Sequence, residues 1–132
     1  MSLKIIENPP TEELYKVQVQ LSSEKDLGIV DIWCPVNPSY LLAVESGKNV
    51  GVLSISVGEE LAEVYKLYVP KEHRRMGVGR ALFDHAVSLL RMRGIKQIGI
   101  EAVGDSHSFW KEIISNYQDY MFPDRNKCII KI

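Results

Sequence analysis

The chain has 132 residues, a usual length for one domain and enough to bury most of a core without disulfides or metals. Its 16 Lys and Arg nearly cancel its 17 Asp and Glu, and a formal charge of −1 excludes the global basic field of a nucleic-acid or membrane-surface binder. Cys34 and Cys128 fit no zinc-ligand spacing, no apolar run approaches the ~20 residues of a membrane span, and "MSLKIIENPP" lacks a signal-peptide core, so reduced thiols, no metal and a cytoplasmic setting are expected.

In chain order, "LKIIE" is apolar and β-branched enough for a strand that "NPP" stops. A helix is expected next, capped by Thr11, with Glu12 and Glu13 at the positive end of its dipole and Leu14, Val17 and Leu21 on its buried face. Residues 22–39 carry conflicting signals and read as mostly irregular. "YLLAVES", "NVGVLSISV" and "LAEVYKLYV", separated by "GK" and "GEE", read as an antiparallel meander. Beyond Pro70 the period becomes helical, with Val78, Ala81, Leu82, Ala86, Leu89 and Met92 on one face and Gly94 as the stop. "IKQIGIEAV" follows as a strand, so a right-handed crossover to a parallel neighbour is expected. "SHSFWKEIISNY" reads as a helix that Ser106 could cap, and "DYMF" and "KCIIKI" as a closing hairpin. The apolar last strand could offer its edge to a second subunit, making a homodimer possible. The whole of 1–132 is read as one domain.

The segment "EHRRMGVGRAL" lies where a strand feeds a helix through two glycines, a place where unpaired N–H groups and a helix dipole favour an anion. It lacks the Lys-Ser/Thr ending of a Walker loop and the third small residue of a dinucleotide fingerprint. Arg74-x-x-Gly77-x-Gly79, after "LYVP" and before an apolar helix, resembles the acetyl-CoA motif of the GNAT acyltransferase superfamily. The likeness extends over about forty residues, from "LAEVYKLYV" to "IGIEAV".

The resemblance implies an α/β (α+β) fold, a mixed and largely antiparallel sheet opened into a V and flanked by helices. It implies acetyl-CoA as cosubstrate and an amine acceptor, while charge and hydropathy lead us to expect no nucleic-acid or membrane partner. The amides of Arg75, Met76, Gly77, Val78, Gly79 and Arg80 would hold the pyrophosphate, next to Arg74, and the backbone of Leu67, Tyr68 and Val69 would pair with the pantetheine arm like an added strand.

Acyl transfer to an amine needs a base, because a lysine-like amine has an unperturbed pKa of about 10.4. Glu63 is the candidate: strand alternation places it on a face with Leu61, Tyr65, Leu67 and Val69, where apolar surroundings would raise its pKa, and Glu101 is the second choice. Glu63 precedes Arg74 by eleven positions, similar to the catalytic glutamate of the family's histone-acetylating branch. By the same likeness the N–H of Leu67 faces the thioester oxygen, a donor typically worth about 3 kcal/mol of barrier.

The chain departs from the family pattern at Trp110, which stands where a tyrosine acid is expected and is too weak an acid to replace it. It could pack against the CoA arm or belong to the core. Tyr117, Tyr68 and His107 are conceivable substitutes. His85 reads as a packed helix residue, and no metal spacing links it to His73 or His107. Two other readings follow: a CoA-binding sensor of the same fold without catalysis, and an RNA-binding domain using Arg74, Arg75, Arg80, Arg91 and Arg93. Acceptor choice is expected to reside in loops 22–39 and 115–126.

Overall fold

The computed structural model describes residues 3–24, 29–103 and 106–132. Part of the expected irregular loop (25–28), and Gly104 and Asp105 ahead of the last helix, lie outside the described residues. In chain order the elements are β1 (Leu3–Glu7), α1 (Thr11–Ser22), β2 (Pro38–Glu45), β3 (Lys48–Val57), β4 (Leu61–Tyr68), a 3-10 turn (Lys71–His73), α2 (Val78–Met92), β5 (Gln97–Glu101), α3 (His107–Ile114), β6 (Tyr120–Asp124) and β7 (Lys127–Lys131). The strands form one sheet in the order β1-β2-β3-β4-β5-β7-β6. Every neighbouring pair is antiparallel except β4 and β5, which α2 joins as a parallel crossover. This is the expected mixed, largely antiparallel sheet.

Helices cover the sheet unequally. On one face α2 and α3 bury Leu82, Phe83, Leu90, Trp110 and Ile113 against Leu53, Ile55, Ala62, Ile98 and Ile130. Each such large side chain contributes roughly 1.5–3 kcal/mol through burial. On the other face α1 sets Leu14, Val17 and Leu21 against Leu42, Val52 and Tyr68, together with Ile32 from the following loop. No residue of β5, β6 or β7 belongs to this second core. That half of the sheet therefore shows residues on the α1 side that no helix among the described residues packs down.

Several local expectations need correction. Thr11 is the first residue of α1 rather than its cap, because Pro10 precedes it as N-cap with no side-chain bond. The Ser106 hydroxyl turns back to the carbonyl of Val103 and accepts that residue's N–H, so it closes a turn and does not cap α3. The centre of the buried face of α2 is Leu82, Phe83, Ala86, Val87 and Leu90, whereas Met92, its last residue, is 86% exposed. Lastly, β7 pairs with β5 on one side and β6 on the other, so "KCIIKI" offers no free edge. The border strand on that side of the sheet is β6, all of whose residues are exposed. No helix among the described residues is long and apolar enough to cross a membrane.

Candidate functional site

The site begins with a break in β4. Opposite β3, the register runs Ser54↔Lys66 and then Ile55↔Val64, leaving Tyr65 as an extra, bulged residue. Such a bulge would strand a backbone donor, but the buried hydroxyl of Ser54 accepts the Lys66 N–H at 3.1 Å and lies 3.5 Å from the Lys66 carbonyl as a donor. Ser54 is a supporting residue that the sequence reading missed, since a serine in "LSISV" looks like an ordinary solvent-facing strand position.

The bulge reverses the facing of everything beyond it. Ala62, Val64, Leu67 and Val69 all pack against the α2–α3 core, whereas Tyr68 belongs to the α1 side. Glu63 pairs across β3 with Ser56 and therefore shares the α1-side face with Tyr68, not with Leu67 and Val69 as strict alternation predicts. It is exposed. Its carboxylate is therefore not enclosed by the core-side apolar residues expected around it.

Beside the bulge the sheet opens. β4 pairs with β5 only through Leu61, Ala62 and Glu63, the last opposite Gly99. From Val64 onward the two strands part, which produces the expected V. Because Lys66 turns both backbone groups toward β3, backbone alternation aims those of Leu67 and Val69 into the gap that β5 has left. The carbonyl of Val69 is partly used, accepting the Nε–H of Arg74 at 2.7 Å.

The gap leads to the N-terminus of α2. Arg75 (φ 63°) and Gly77 (φ 82°) adopt left-handed backbone, so the chain turns twice between the 3-10 turn and the helix. Gly77 is the N-cap, and the first turn carries neither a side-chain cap nor an acidic residue. Its leading N–H groups and the positive end of the dipole are therefore open to an anion. A Cβ at Gly77 would meet nothing within 4 Å, so its requirement is conformational. A Cβ on Gly79 would lie 3.1 Å from the Phe109 ring, so there the requirement is packing.

The resulting cleft encloses about 620 Å³ between β4, the loop, the start of α2 and α3. It is lined by Leu67, Tyr68, Val69, Arg74, Arg75, Gly77, Val78, Gly79, Arg80 and Trp110, all expected at the site, and by Tyr65, Phe109 and Glu112, which were not. Met76 and Glu63 both stand outside the lining, Met76 being 71% exposed, whereas Glu101, the second choice of base, is within it. Arg74, Arg75 and Arg80 bring positive charge to the loop and the start of α2, and the carboxylates of Glu101 and Glu112 also belong to the lining. Arg91 and Arg93 sit at the far end of α2, so the arginines form no single stripe.

Arg74 carries a duty that was not expected, and Trp110 takes the second of its two expected places. Arg74 is anchored: besides Val69, it holds Glu24 through an ion pair of 2.6 Å, and the other Glu24 oxygen accepts the Tyr68 hydroxyl. Burial, reinforced by the Glu24 carboxylate, pushes the Tyr68 phenol well above the usual tyrosine range. The clamp ties the chain beyond α1 to the end of β4 and the loop. Trp110 is a core residue, 5% exposed, with its ring edge-on to Phe83 at 5.5 Å and to Phe109 at 4.9 Å; it reaches the cleft only as part of its wall.

The conceivable substitute acids are equally committed. The Tyr68 hydroxyl is donated to Glu24, Tyr117 packs against Phe83 outside the cleft lining with its phenol pushed up by burial, and the His107 Nε2 lies 3.2 Å from Asn126 Oδ1.

The chain was compared with known proteins. A search of curated proteins found no match. Among solved structures, the PaiA N-acetyltransferase of Thermoplasma acidophilum in complex with coenzyme A aligns at a TM-score of 0.76 with 14% identity, covering 99% of this chain and 98% of that one. The ribosomal-protein-S18-alanine N-acetyltransferase of Escherichia coli aligns at 0.73 with 16% identity, covering 99% and 94%. A GNAT-family acetyltransferase of Staphylococcus aureus Mu50 aligns at 0.71 with 16% identity, covering 98% and 99%. At these identities the likeness is one of fold. The family model described as acetyltransferase (GNAT) family matches residues 6–113, which include the bulged strand, the glycine loop and the parted strands, and on that match the chain belongs to the acetyltransferase (GNAT) family.

Proposed function

We propose that the protein transfers an acetyl group from acetyl-CoA to a primary amine by direct attack. The observation that carries this reading is the continuity of the open backbone edge at Leu67 and Val69 with the uncapped first turn of α2. An extended, amide-bearing arm ending in a pyrophosphate needs donors and acceptors along its length and an anion site at one end. The positive charge at Arg75 and Arg80 suits the phosphates. Arg74, already held by Glu24, serves the loop's shape first and the ligand's charge second.

In the reaction, the neutral amine nitrogen attacks the thioester carbonyl carbon, the carbonyl electrons move to oxygen, and the N–H of Leu67 stabilises that oxyanion. Collapse breaks the C–S bond and releases CoA thiolate. Glu63 accepts the proton lost by the amine. Its position supports the role in a way that differs from the sequence expectation: it occupies the last rung shared by β4 and β5, where the V begins, on an exposed face that an acceptor can reach. With Trp110 in the core, the thiolate leaves without a protein acid, which a thiol pKa of about 8.5 permits.

Isothermal calorimetry with acetyl-CoA and a thiol-release assay across amines test the proposal. Acetyl-CoA binds, and Glu63→Gln lowers kcat by about 10²–10⁴ while leaving the cofactor Kd unchanged. Release unaffected by Glu63→Gln would remove Glu63 as base. Binding with no release from any amine would favour the second reading, a CoA-binding sensor, which the buried Trp110 motivates.

A further inference from the structure

The half of the sheet that α1 leaves uncovered carries an ordered pattern. Following the registers sideways from Glu63, the cross-strand neighbours are Gly99 on β5, Ile129 on β7 and Met121 on β6. Facing residues on paired strands point to the same side, so these four positions form one lateral row. The row starts at a carboxylate, passes a residue without a side chain, and continues over two apolar ones. Gly99 matters here because a Cβ would lie 3.4 Å from the Glu63 Cγ, showing that the Glu63 stem leans over β5 toward the row. Ile129 is half-buried, and Met121 is 56% exposed.

The rows on either side are polar. Two residues along each strand, Glu101 on β5 lies 4.0 Å from Lys127 on β7, and on the other side Lys131 on β7 lies 3.5 Å from Asp119, just before β6. An apolar strip is thus bordered by two ion pairs. Its inner end is walled as well: Ser56, the β3 neighbour of Glu63, donates its hydroxyl to the carbonyl of Val36 at 2.8 Å, fixing the loop after α1 beside the carboxylate.

We infer that this row is the acceptor subsite and that it selects a primary amine carrying an apolar tail, the ammonium group beside Glu63 and the tail lying across Gly99 onto Ile129 and Met121. The inference rests on the transferase reading above. At about 4.8 Å between strands, two steps from Glu63 to Ile129 span about 10 Å, the length of roughly six to eight methylenes. A second charge at the far end of the acceptor stays hydrated and so forgoes the apolar contact that Ile129 and Met121 offer a methyl-ended tail.

The test is a thiol-release assay with acetyl-CoA and butylamine, hexylamine, octylamine and 1,8-diaminooctane. For the unmodified protein kcat/KM rises about twofold per methylene, the logarithmic half of what full burial would give on an open strip. Diaminooctane falls at least tenfold below octylamine. Met121→Glu, at an exposed position, lowers octylamine and raises diaminooctane while leaving the KM for acetyl-CoA unchanged. A flat series, or a ranking that Met121→Glu leaves intact, overturns the tail assignment while the transferase reading stands. Acetyl-CoA binding without release from any of the four amines overturns the tail assignment, and the transferase reading falls with it if the wider amine panel above gives no release either.

Discussion

The clamp of Glu24, Tyr68 and Arg74 offers a quantitative test of how the glycine loop ahead of α2 is held. Replacing Glu24 by Ala leaves the hydroxyl of Tyr68, a residue 2% exposed, without its acceptor, at a cost of about 1–2 kcal/mol. It also removes the charge-assisted bond to Arg74. With side-chain exposures of 35% for Arg74 and 18% for Glu24, solvent screening limits that loss to about 1–1.5 kcal/mol. The total is about 3 kcal/mol. Taking roughly 2.1 cal/mol/K of unfolding entropy per residue over 132 residues, that loss lowers Tm by roughly 11 °C. Thermal unfolding followed by circular dichroism measures it, and a cycle with Tyr68→Phe isolates the pair, because Glu24→Ala costs about 1–2 kcal/mol less once the hydroxyl is gone.

The same clamp sets a pH dependence. The folded state raises the Tyr68 phenol above its ordinary value of 10.0, chiefly by burial and then by Glu24. Its contribution to stability is therefore complete below about pH 10 and is lost as pH rises toward the raised value, where the unfolded chain has already ionised. Tyr68→Phe should show a shallower decline of Tm above pH 10. A Glu24→Ala variant that melts within about 3 °C of the unmodified protein, together with no coupling to Tyr68→Phe, would refute the clamp as a stabilising unit.

Other outcomes are open to direct measurement. Gly79→Ala places a Cβ 3.1 Å from the Phe109 ring, so calorimetry should show acetyl-CoA affinity reduced at least tenfold, with Phe109→Ala restoring most of it. If the double variant binds no better than Gly79→Ala alone, crowding by the ring is not the reason for glycine there. Ser54→Ala strands the Lys66 N–H inside the β4 bulge and should cost about 1–3 kcal/mol in urea unfolding; an unchanged midpoint would mean that the hydroxyl does not support the bulge.

The order of elements was legible because each has its own period and punctuation. Apolar residues at helical spacing in α1 and α2, Gly94 after α2, and short breaks between the meander strands act locally, and those elements lie where expected. The glycine loop was readable for the same reason, since backbone φ and a missing cap are properties of adjacent residues. Facing beyond Tyr65 was not readable. "LAEVYKLYV" continues without a glycine or proline to announce a bulge, and one extra residue moves Leu67 and Val69 to the opposite side from Glu63.

What the sequence determined by itself was the α/β order and the glycine turn that opens α2, because both are written in short-range spacing. The tertiary structure alone decided that Arg74 is held by Glu24, that Trp110 belongs to the core, that β7 is an interior strand, and that Glu63 begins a row ending at Met121. Each of these depends on which distant segments pair and in what register. Those choices are made by burial across the whole sheet, to which no single stretch of sequence has access.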